Sequence, residues 1–478
     1  MPDEKPKALA LDLDGTLLGT DSLWELFFKA LSQGRLAPLW WLFCGRLRFK
    51  RKLAESTELD LDLLPWNEKV IGLAREHGAK GGEVWLATAA NQAVARKVAG
   101  RFGFFTGHMA TDARINLKSE AKARALADRF GEGGFIYAGD CGADVKVWRA
   151  AGGAVVVGGE RLARLARPMG GEVRVVEPVG TKWPSPGMVM ELAGAKKCLA
   201  GLVVFLPMLL ALAFSPANVL NAVLAFAAFW FVGAAGNALG ELLGLEADRK
   251  DPRRKGRTLA AGRLDLSRGG FVFLGFALAG LAFAALARDG VFALALIALA
   301  LTVLHAQGLR KYLALSLFAQ AAVNTLALAC GYVALGLPAS PWGVTLAFLA
   351  FAALGAMERL SDLGKGEGEV PVVHGLRVGR VAAARAMSVL APFLVLAFLD
   401  ALTFPLTLAP AGAFARPGWA LLAIPAGLIW FWRLYARARA AEGPLLAFSL
   451  TDGVSWLAFG LALAGYFLSG PAGPAGLA

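Results

Sequence analysis

Two carboxylates two residues apart, Asp12 and Asp14 in Leu11-Asp-Leu-Asp-Gly-Thr16, stand at the end of an apolar run that begins at Ala8. Strand side chains repeat every second residue, so both acids leave the strand end in the same direction. Oxygen donors placed that way suit a Mg²⁺-dependent phosphate site, because a hard cation prefers carboxylates. Taken alone, the six residues read more plainly as a solvated turn after a strand. They are not alone. Thr88 closes a second apolar run, and Asp140 and Asp144 follow a third in Tyr137-Ala-Gly-Asp-Cys-Gly-Ala-Asp144, while Lys122 opens a helical stretch in Ser119-Glu-Ala-Lys-Ala-Arg124.

The elements that must position these groups are apolar runs at 8–13, 83–88, 134–139 and 154–157, alternating with helical stretches at 92–102 and 119–130. That alternation predicts an α/β domain with a parallel sheet, whose ligands bind at the carboxyl ends of the strands. Asp12, Asp14, Thr88 and Asp140 would meet there. In order and type these residues resemble the haloacid dehalogenase (HAD) superfamily of phosphohydrolases, whose pattern is DxDGT, then Thr or Ser, then Lys, then GDxxxD. The resemblance covers the whole domain, residues 1–180. It implies that Asp12 is the nucleophile and Asp14 the acid that protonates the leaving alcohol and then activates water. It further implies that Asp12, the Asp14 carbonyl and Asp140 hold Mg²⁺, that Thr88 and Lys122 neutralise the phosphoryl oxygens, and that Asp144 steadies the metal shell or Lys122.

Between the first motif and Thr88 lies a segment dense in aromatic and basic residues, including Trp24, Phe27, Phe28, Trp40, Trp41 and Phe43 with Arg46, Arg48, Lys50 and Arg51. Its helical spacing predicts a small cap packed by those rings, with contact to an anionic membrane surface as the alternative.

Of the 478 residues 57% are hydrophobic, concentrated after about residue 190, which is too apolar for one ordinary soluble domain. The formal charge of +13 sits largely in short loops between apolar segments, so membrane topology explains it better than nucleic acid does. Residues 181–192 form a linker containing the turn-rich Trp183-Pro-Ser-Pro-Gly187. Beyond it, residues 193–478 read as an all-α membrane domain of about nine transmembrane helices. The windows are 196–214, 218–238, 270–287, 291–309, 312–335, 341–357, 385–403, 418–432 and 446–468. The N-terminus lacks a signal-peptide pattern. With that end in the cytoplasm, most inter-helix Arg and Lys fall inside, as expected for a multi-pass protein of the inner membrane. The four cysteines show no metal spacing and read as reduced thiols without a role. His305, Tyr312, Asn324, His374 and Asp452 lie in or near the helices, where a lone polar residue is usually satisfied by a neighbouring helix.

Two loops of this half carry clustered acids among basic residues: 240–263, and Met357-Glu-Arg-Leu-Ser-Asp-Leu-Gly-Lys365. The helix count and these loops resemble UbiA-type intramembrane transferases, and the first loop is similar to their NDxxDxExD…RP.A.GR pattern. The resemblance is nearest to the branch of polyprenyl-phosphate phosphoribosyltransferases. Gly240, Glu241 and Gly244 stand where that pattern has Asn, Asp and Asp, Glu246 and Asp248 keep their places, and Thr258 replaces a Pro. The resemblance implies that Glu241, Asp248 and Asp362 share one Mg²⁺, with Arg253, Arg254, Lys255 and Arg257 on a diphosphate. The partners it implies are a polyprenyl phosphate, a phosphorylated sugar and the bilayer. A HAD-type aspartate beside membrane helices also occurs in cation pumps, but Leu13 stands where a pump needs Lys, and the segment before Thr88 is short.

Overall fold

The computed structural model describes residues 6–112, 116–166, 168, 171–181, 183–194, 198–309, 312–339, 341–364, 380–408, 417–440 and 445–469. The chain divides into two compact units: Met1–Leu192 with Ala238–Val272, and Ala193–Asn237 with Phe273–Ala478.

The first unit is built on a six-stranded sheet. Its strands are β1 (Ala8–Leu11), β2 (Val84–Asn91), β3 (Gly107–Thr111), β4 (Phe135–Gly139), β5 (Gly153–Val157) and β6 (Val173–Val176). All pairs are parallel, in the order β3-β2-β1-β4-β5-β6. β1 and β5 are buried at every position, as strands covered on both faces must be. From β1 the chain builds outward through β2 and β3, then returns to β4 on the other side of β1. That reversal opens a crevice at the carboxyl ends of β1 and β4. The four strand runs read from the sequence are present, and β3 and β6 are additional. Helices α1 (Ser22–Ser32), α2 (Ala37–Trp41) and α3 (Arg46–Ser56) follow β1, α4 (Glu68–Ala79) precedes β2, and α5 (Gln92–Arg101), α6 (Glu120–Phe130) and α7 (Val145–Ala150) pair with the later strands. Trp148 of α7 is fully buried and donates its indole N–H to the Tyr137 carbonyl at 3.1 Å, pinning α7 to β4.

The aromatic segment divides. Trp24, Phe27 and Phe28 of α1 and Phe49 of α3 form one cluster, with Trp24–Phe27 and Phe27–Phe49 centroids 5.3 and 5.9 Å apart in edge-on contact. Trp40 and Phe43 stay outside it, exposed to solvent. Cap packing therefore accounts for the inner rings and leaves the outer ones unexplained.

Residues Ala238–Val272, which hydropathy groups with the membrane part, belong to this unit. The Arg249 guanidinium grips the Glu25 carboxylate through two hydrogen bonds of 2.6 and 3.0 Å, and Thr20 donates its hydroxyl to the same carboxylate at 2.7 Å. Only 5% and 4% of the Arg249 and Glu25 side chains are exposed. Around this pair, Lys29 meets Glu246, the Thr181 amide donates to the Arg263 carbonyl at 2.8 Å, and Glu191 accepts from the Thr258 amide and the Arg263 guanidinium, each at 2.9 Å. Gly262 adopts φ +68°, and a Cβ there would stand 2.8 Å from Pro65 Cγ, so the close approach requires glycine.

The second unit is helical and apolar. Among the described residues four helices are long and apolar enough to cross a membrane: Pro216–Leu243, Leu266–Leu286, Ala314–Leu335 and Gly343–Ser361. Shorter apolar helices are Gly201–Leu210, Val291–Gln307, Ala384–Leu399 and Gly453–Leu468. The window expected at 196–214 begins as a 3-10 run, Cys198–Phe205, and the helix that follows stops at Leu210, before Leu212 with φ +48°. Small residues dominate one core (Ala225, Ala228, Ala284, Ala295, Ala298, Ala327 and Ala334), which lets helices approach closely. Polar residues there have partners: His305 Nε2 lies 2.9 Å from Ser316 Oγ, and Asp452 receives two hydrogen bonds from Arg433. His374 lies outside the described residues.

Removing one partner of a buried ion pair strands the other charge, at a cost of about 3–5 kcal/mol. Glu25→Ala and Arg249→Ala should each destabilise the first unit by about that much, and Glu25→Leu with Arg249→Met should recover most of the loss. Chemical denaturation of the full chain in detergent, followed by tryptophan fluorescence, checks this. Single variants that melt like the wild type would show the pair to be dispensable.

Candidate active site

At the end of β1 the chain turns sharply, with Leu18 N–H donating to the Leu13 carbonyl at 2.8 Å and Gly15 at φ +79°. This turn fixes Asp12 and Asp14. The Leu13 amide donates to Asp12 Oδ1 at 2.8 Å, and Lys122 of α6 reaches Asp12 Oδ2 at 3.0 Å. Lys122 also donates to the Tyr137 hydroxyl at 2.8 Å, and that hydroxyl donates to Asp144 Oδ1 at 2.8 Å. Asp144 Oδ2 accepts from the backbone amides of Asp140 and Cys141, at 3.2 and 3.1 Å, and Cys141 Sγ lies 3.2 Å away. Lys122 thus joins Asp12 on one side to a fully buried tyrosine and a buried aspartate on the other. The Asp144 carboxylate is committed to holding the turn that carries Asp140.

The Asp140 carboxylate lies against Gly15: a Cβ there would fall 2.4 Å from Asp140 Oδ2, so only glycine admits the contact. Asp140 Oδ therefore stands over the turn that carries Asp12 and Asp14. Thr88, fully buried at β2, accepts from the Ala90 amide at 3.0 Å, which leaves its hydroxyl hydrogen available to donate. Asp14 Oδ1 accepts from the Ser22 amide at 2.8 Å, at the start of α1.

Burial pushes Asp12 up to about 7; Lys122 opposes the rise, and the Asp144 and Asp140 charges add to it. Burial also pushes Asp14 up to about 8, helped by the Asp21 charge and opposed by the Ser22 hydrogen bonds. Asp21 is raised by burial as well, with Asp265 adding to it. For Lys122 burial works to lower the value, but Asp12 and Asp144 together outweigh it and the ammonium is held above its ordinary range. Burial raises the Cys141 thiol to about 12, so it stays neutral at physiological pH.

Asp140, Cys141 and Asp144 form a group whose ligand atoms lie within 4.8 Å of one another. A neutral thiol is a poor partner for a hard cation, and Asp144 is already engaged, so of the three only Asp140 has the chemistry to serve Mg²⁺. Its approach to the Asp12–Asp14 turn, and the electrostatic contact between Asp12 and Asp140, fit oxygen ligation of a cation at that turn. Cys141, read from the sequence as without a role, buttresses Asp144.

One site residue escaped the sequence reading. Lys50 of α3 is buried, donates to the Ala89 carbonyl at 2.6 Å one residue past Thr88, and feels the charges of Asp14 and Asp21. Burial and the neighbouring Arg46 lower its pKa. Nothing in the Arg46–Lys52 run marks it out; only the fold turns it inward while Arg48, Arg51 and Lys52 stay exposed.

Part of the segment read as a loop is a short helix, Leu245–Lys250, in which Asp248 is buried and pairs with Arg257 at 3.0 Å and Arg254 at 3.7 Å. Glu241 stands near the end of the helix Pro216–Leu243, and the Arg253 amide donates to Asp251 at 2.9 Å. Asp362 falls in the helix Pro341–Gly364, and its side chain lies outside the described residues.

A parallel α/β unit with an aspartate-centred cleft, joined to an apolar helical unit, defines the class of protein. The chain belongs to the same family as the uncharacterized protein y4nM of Sinorhizobium fredii (strain NBRC 101917 / NGR234), with which it is 32% identical over 470 residues, covering 94% of this chain and 88% of the relative. No family profile matches the chain. Among solved structures, a UbiA homolog from Archaeoglobus fulgidus bound to DMAPP and Mg²⁺ is 17% identical, covering 59% of this chain and 99% of its own, with a TM-score of 0.46. A digeranylgeranylglyceryl phosphate synthase covers 59% of this chain and 97% of its own at 19% identity and TM-score 0.42. A substrate-bound phosphoserine phosphatase covers 34% of this chain and 93% of its own at 17% identity and TM-score 0.26.

Carboxylates whose pKa is raised on folding hold protons that the unfolded chain has lost. Stability without metal should therefore fall as pH rises from the ordinary carboxylate range, about 4, through about 7 to 8. Metal-free protein should melt lower at pH 8 than at pH 5.5, and Mg²⁺ should raise the melting temperature more at pH 8. Thermal unfolding at both pH values, with EDTA or Mg²⁺, checks the sign; an equal Mg²⁺ effect at both would contradict the assignment.

Proposed function

We propose that the chain is a membrane-held Mg²⁺-dependent phosphomonoester hydrolase acting on a phosphorylated isoprenoid lipid of the polyprenyl-phosphate-sugar type. The observation that carries the reading is the hydrogen-bonded run from Asp12 through Lys122 and Tyr137 to Asp144, with Asp140 over the same turn. Asp12 attacks phosphorus as the bond to the leaving alcohol breaks, and Asp14, protonated near neutral pH because its pKa is pushed to about 8, gives the alkoxide its proton. Asp14 then takes a proton from the water that attacks the aspartyl-phosphate, releasing inorganic phosphate and restoring Asp12. Lys122 and the Thr88 hydroxyl neutralise the transferring oxygens, and Lys50 adds positive charge at the cap side of the cleft. Asp12, the Asp14 carbonyl and Asp140 would hold Mg²⁺, which when bound supplies charge neutralisation for the phosphoryl group.

The lipid class rests on the apolar helices and on the resemblance of the 240–263 loop to intramembrane transferases. The reading takes the lipid-handling half as cytoplasmic-side and inner-membrane, with the N-terminal domain in the cytoplasm and no nucleic acid partner. A second reading retains transfer in that half, moving a phosphoribose-type sugar phosphate onto a lipid phosphate before hydrolysis. Its support is the buried Asp248 with Arg257, an acid and a cation at retained motif positions, and with Arg254 beside them. Against it, Glu246 and Arg249 are occupied by Lys29 and Glu25. With both halves in one chain, the effective concentration of a tethered intermediate reaches roughly millimolar.

Reconstituted protein with Mg²⁺ should release phosphate from a phosphorylated polyprenyl sugar, and Asp12→Asn should reduce the rate at least about 10³-fold. Asp14→Asn should cost less on p-nitrophenyl phosphate than on an alkyl phosphate, because a good leaving group needs little protonation. Under the first reading Asp248→Asn and Glu241→Gln leave hydrolysis unchanged. Labelled lipid formed from radiolabelled phosphoribosyl diphosphate and polyprenyl phosphate would favour the second. No phosphate release from any such lipid would overturn the proposal.

A further inference from the structure

Residues 36–47 present an apolar surface that the cap does not use. Trp40 is 75% exposed and Phe43 85%, and Leu36, Leu39, Leu42 and Leu47 flank them, also exposed. Single exposed hydrophobes are ordinary, but this contiguous group at one turn is not. The group is rigidly backed. The Phe43 and Cys44 amides donate to the carbonyls of Trp40 and Trp41, and Lys52 of α3 lies 5.6 Å over the Trp41 ring. Cations predominate around it: no Asp or Glu occurs between Glu25 and Glu55, and Arg35, Arg46, Arg48, Arg51 and Lys52 all stand exposed, of which Arg51 lies 3.9 Å from Glu55.

Exposed indole and phenyl rings within a rim of cations are the chemistry of a protein element that enters the headgroup layer of an anionic bilayer. A protein partner would need matching acids and an apolar socket; an anionic bilayer supplies both without a specific shape, and the chain carries four helices long and apolar enough to cross one among its described residues. We infer that the cap docks on anionic lipid, with Trp40 and Phe43 inserted at the acyl boundary and the exposed Arg and Lys on phosphates. This goes beyond the proposed hydrolysis and does not depend on it, since the docking residues are distinct from Asp12, Asp14, Thr88 and Lys122. Lys50, on the same helix as Arg46 and Arg48, faces the cleft.

The test uses the full chain reconstituted in phosphatidylcholine vesicles with or without phosphatidylglycerol. Phe43→benzoylphenylalanine is photolysed and adducts are read by mass spectrometry, with Leu165→benzoylphenylalanine as a second exposed position, 52% accessible, outside the cap. Lipid adducts should form at position 43 roughly tenfold more than at 165 in anionic vesicles, and should fall severalfold in phosphatidylcholine alone and in the Arg46→Glu, Arg48→Glu background. Lipid labelling at 43 no greater than at 165, labelling indifferent to lipid charge, or adducts at 43 to a second copy of the chain would overturn the inference.

Discussion

One buried ammonium organises the cleft. Lys122 is held by Asp12 on one side and by the Tyr137 hydroxyl on the other, and Tyr137 hands the interaction on to Asp144. Burying so many charges is tolerable only because each is paired or hydrogen-bonded. The same arrangement fixes the positions of Asp12 and Asp140. Asp12 cannot swing away from Lys122 without stranding it, and Asp140 is placed because Asp144 accepts from its amide. Sheet, helix and turn converge on this relay: β1 brings Asp12, α6 brings Lys122, β4 brings Tyr137, and the turn after β4 brings Asp140 and Asp144. Burial raises Asp12 and Asp14, the neighbouring acids add to the rise, and a divalent cation suits the remaining oxygens.

The second constraint is that the first unit is not one stretch of chain. Residues Ala238–Val272 come back to it, and the buried Glu25–Arg249 pair joins partners 224 residues apart. The connection runs through the 240–263 loop itself. Glu246 and Arg249 hold the loop to α1, so their charges are spent on structure rather than left for a ligand. Asp248 is held in turn by Arg254 and Arg257 of the same loop.

Much of the fold was legible because its signals are local. Apolar runs ending in Asp12, Thr88 and Asp140 announce β1, β2 and β4, and the Ser119–Phe130 stretch announces α6. β3 was not, since Gly-His-Met-Ala-Thr carries little apolar patterning and is only half-buried. The motif residues of the cleft could be named from order and type, but their connections could not: that Tyr137 links Lys122 to Asp144, or that Cys141 supports Asp144, depends on strand register. Lys50 illustrates the limit. Its neighbours share its charge, and burial alone distinguishes it. Long-range pairing hid the return of the 238–272 segment, because hydropathy reads windows and not partners.

The central claim is that Asp12 carries the phosphoryl group, and capture of that group on the protein tests it most directly. Asp14→Asn protein mixed with Mg²⁺ and p-nitrophenyl phosphate, whose leaving group departs without a proton from Asp14, then acid-quenched and digested, should yield a hydroxylamine-labile phosphoryl adduct on the peptide containing Asp12. The adduct should disappear when Asp12 is changed to Asn. Phosphate release from the wild type with no adduct at Asp12, or an adduct on another residue, would contradict the account.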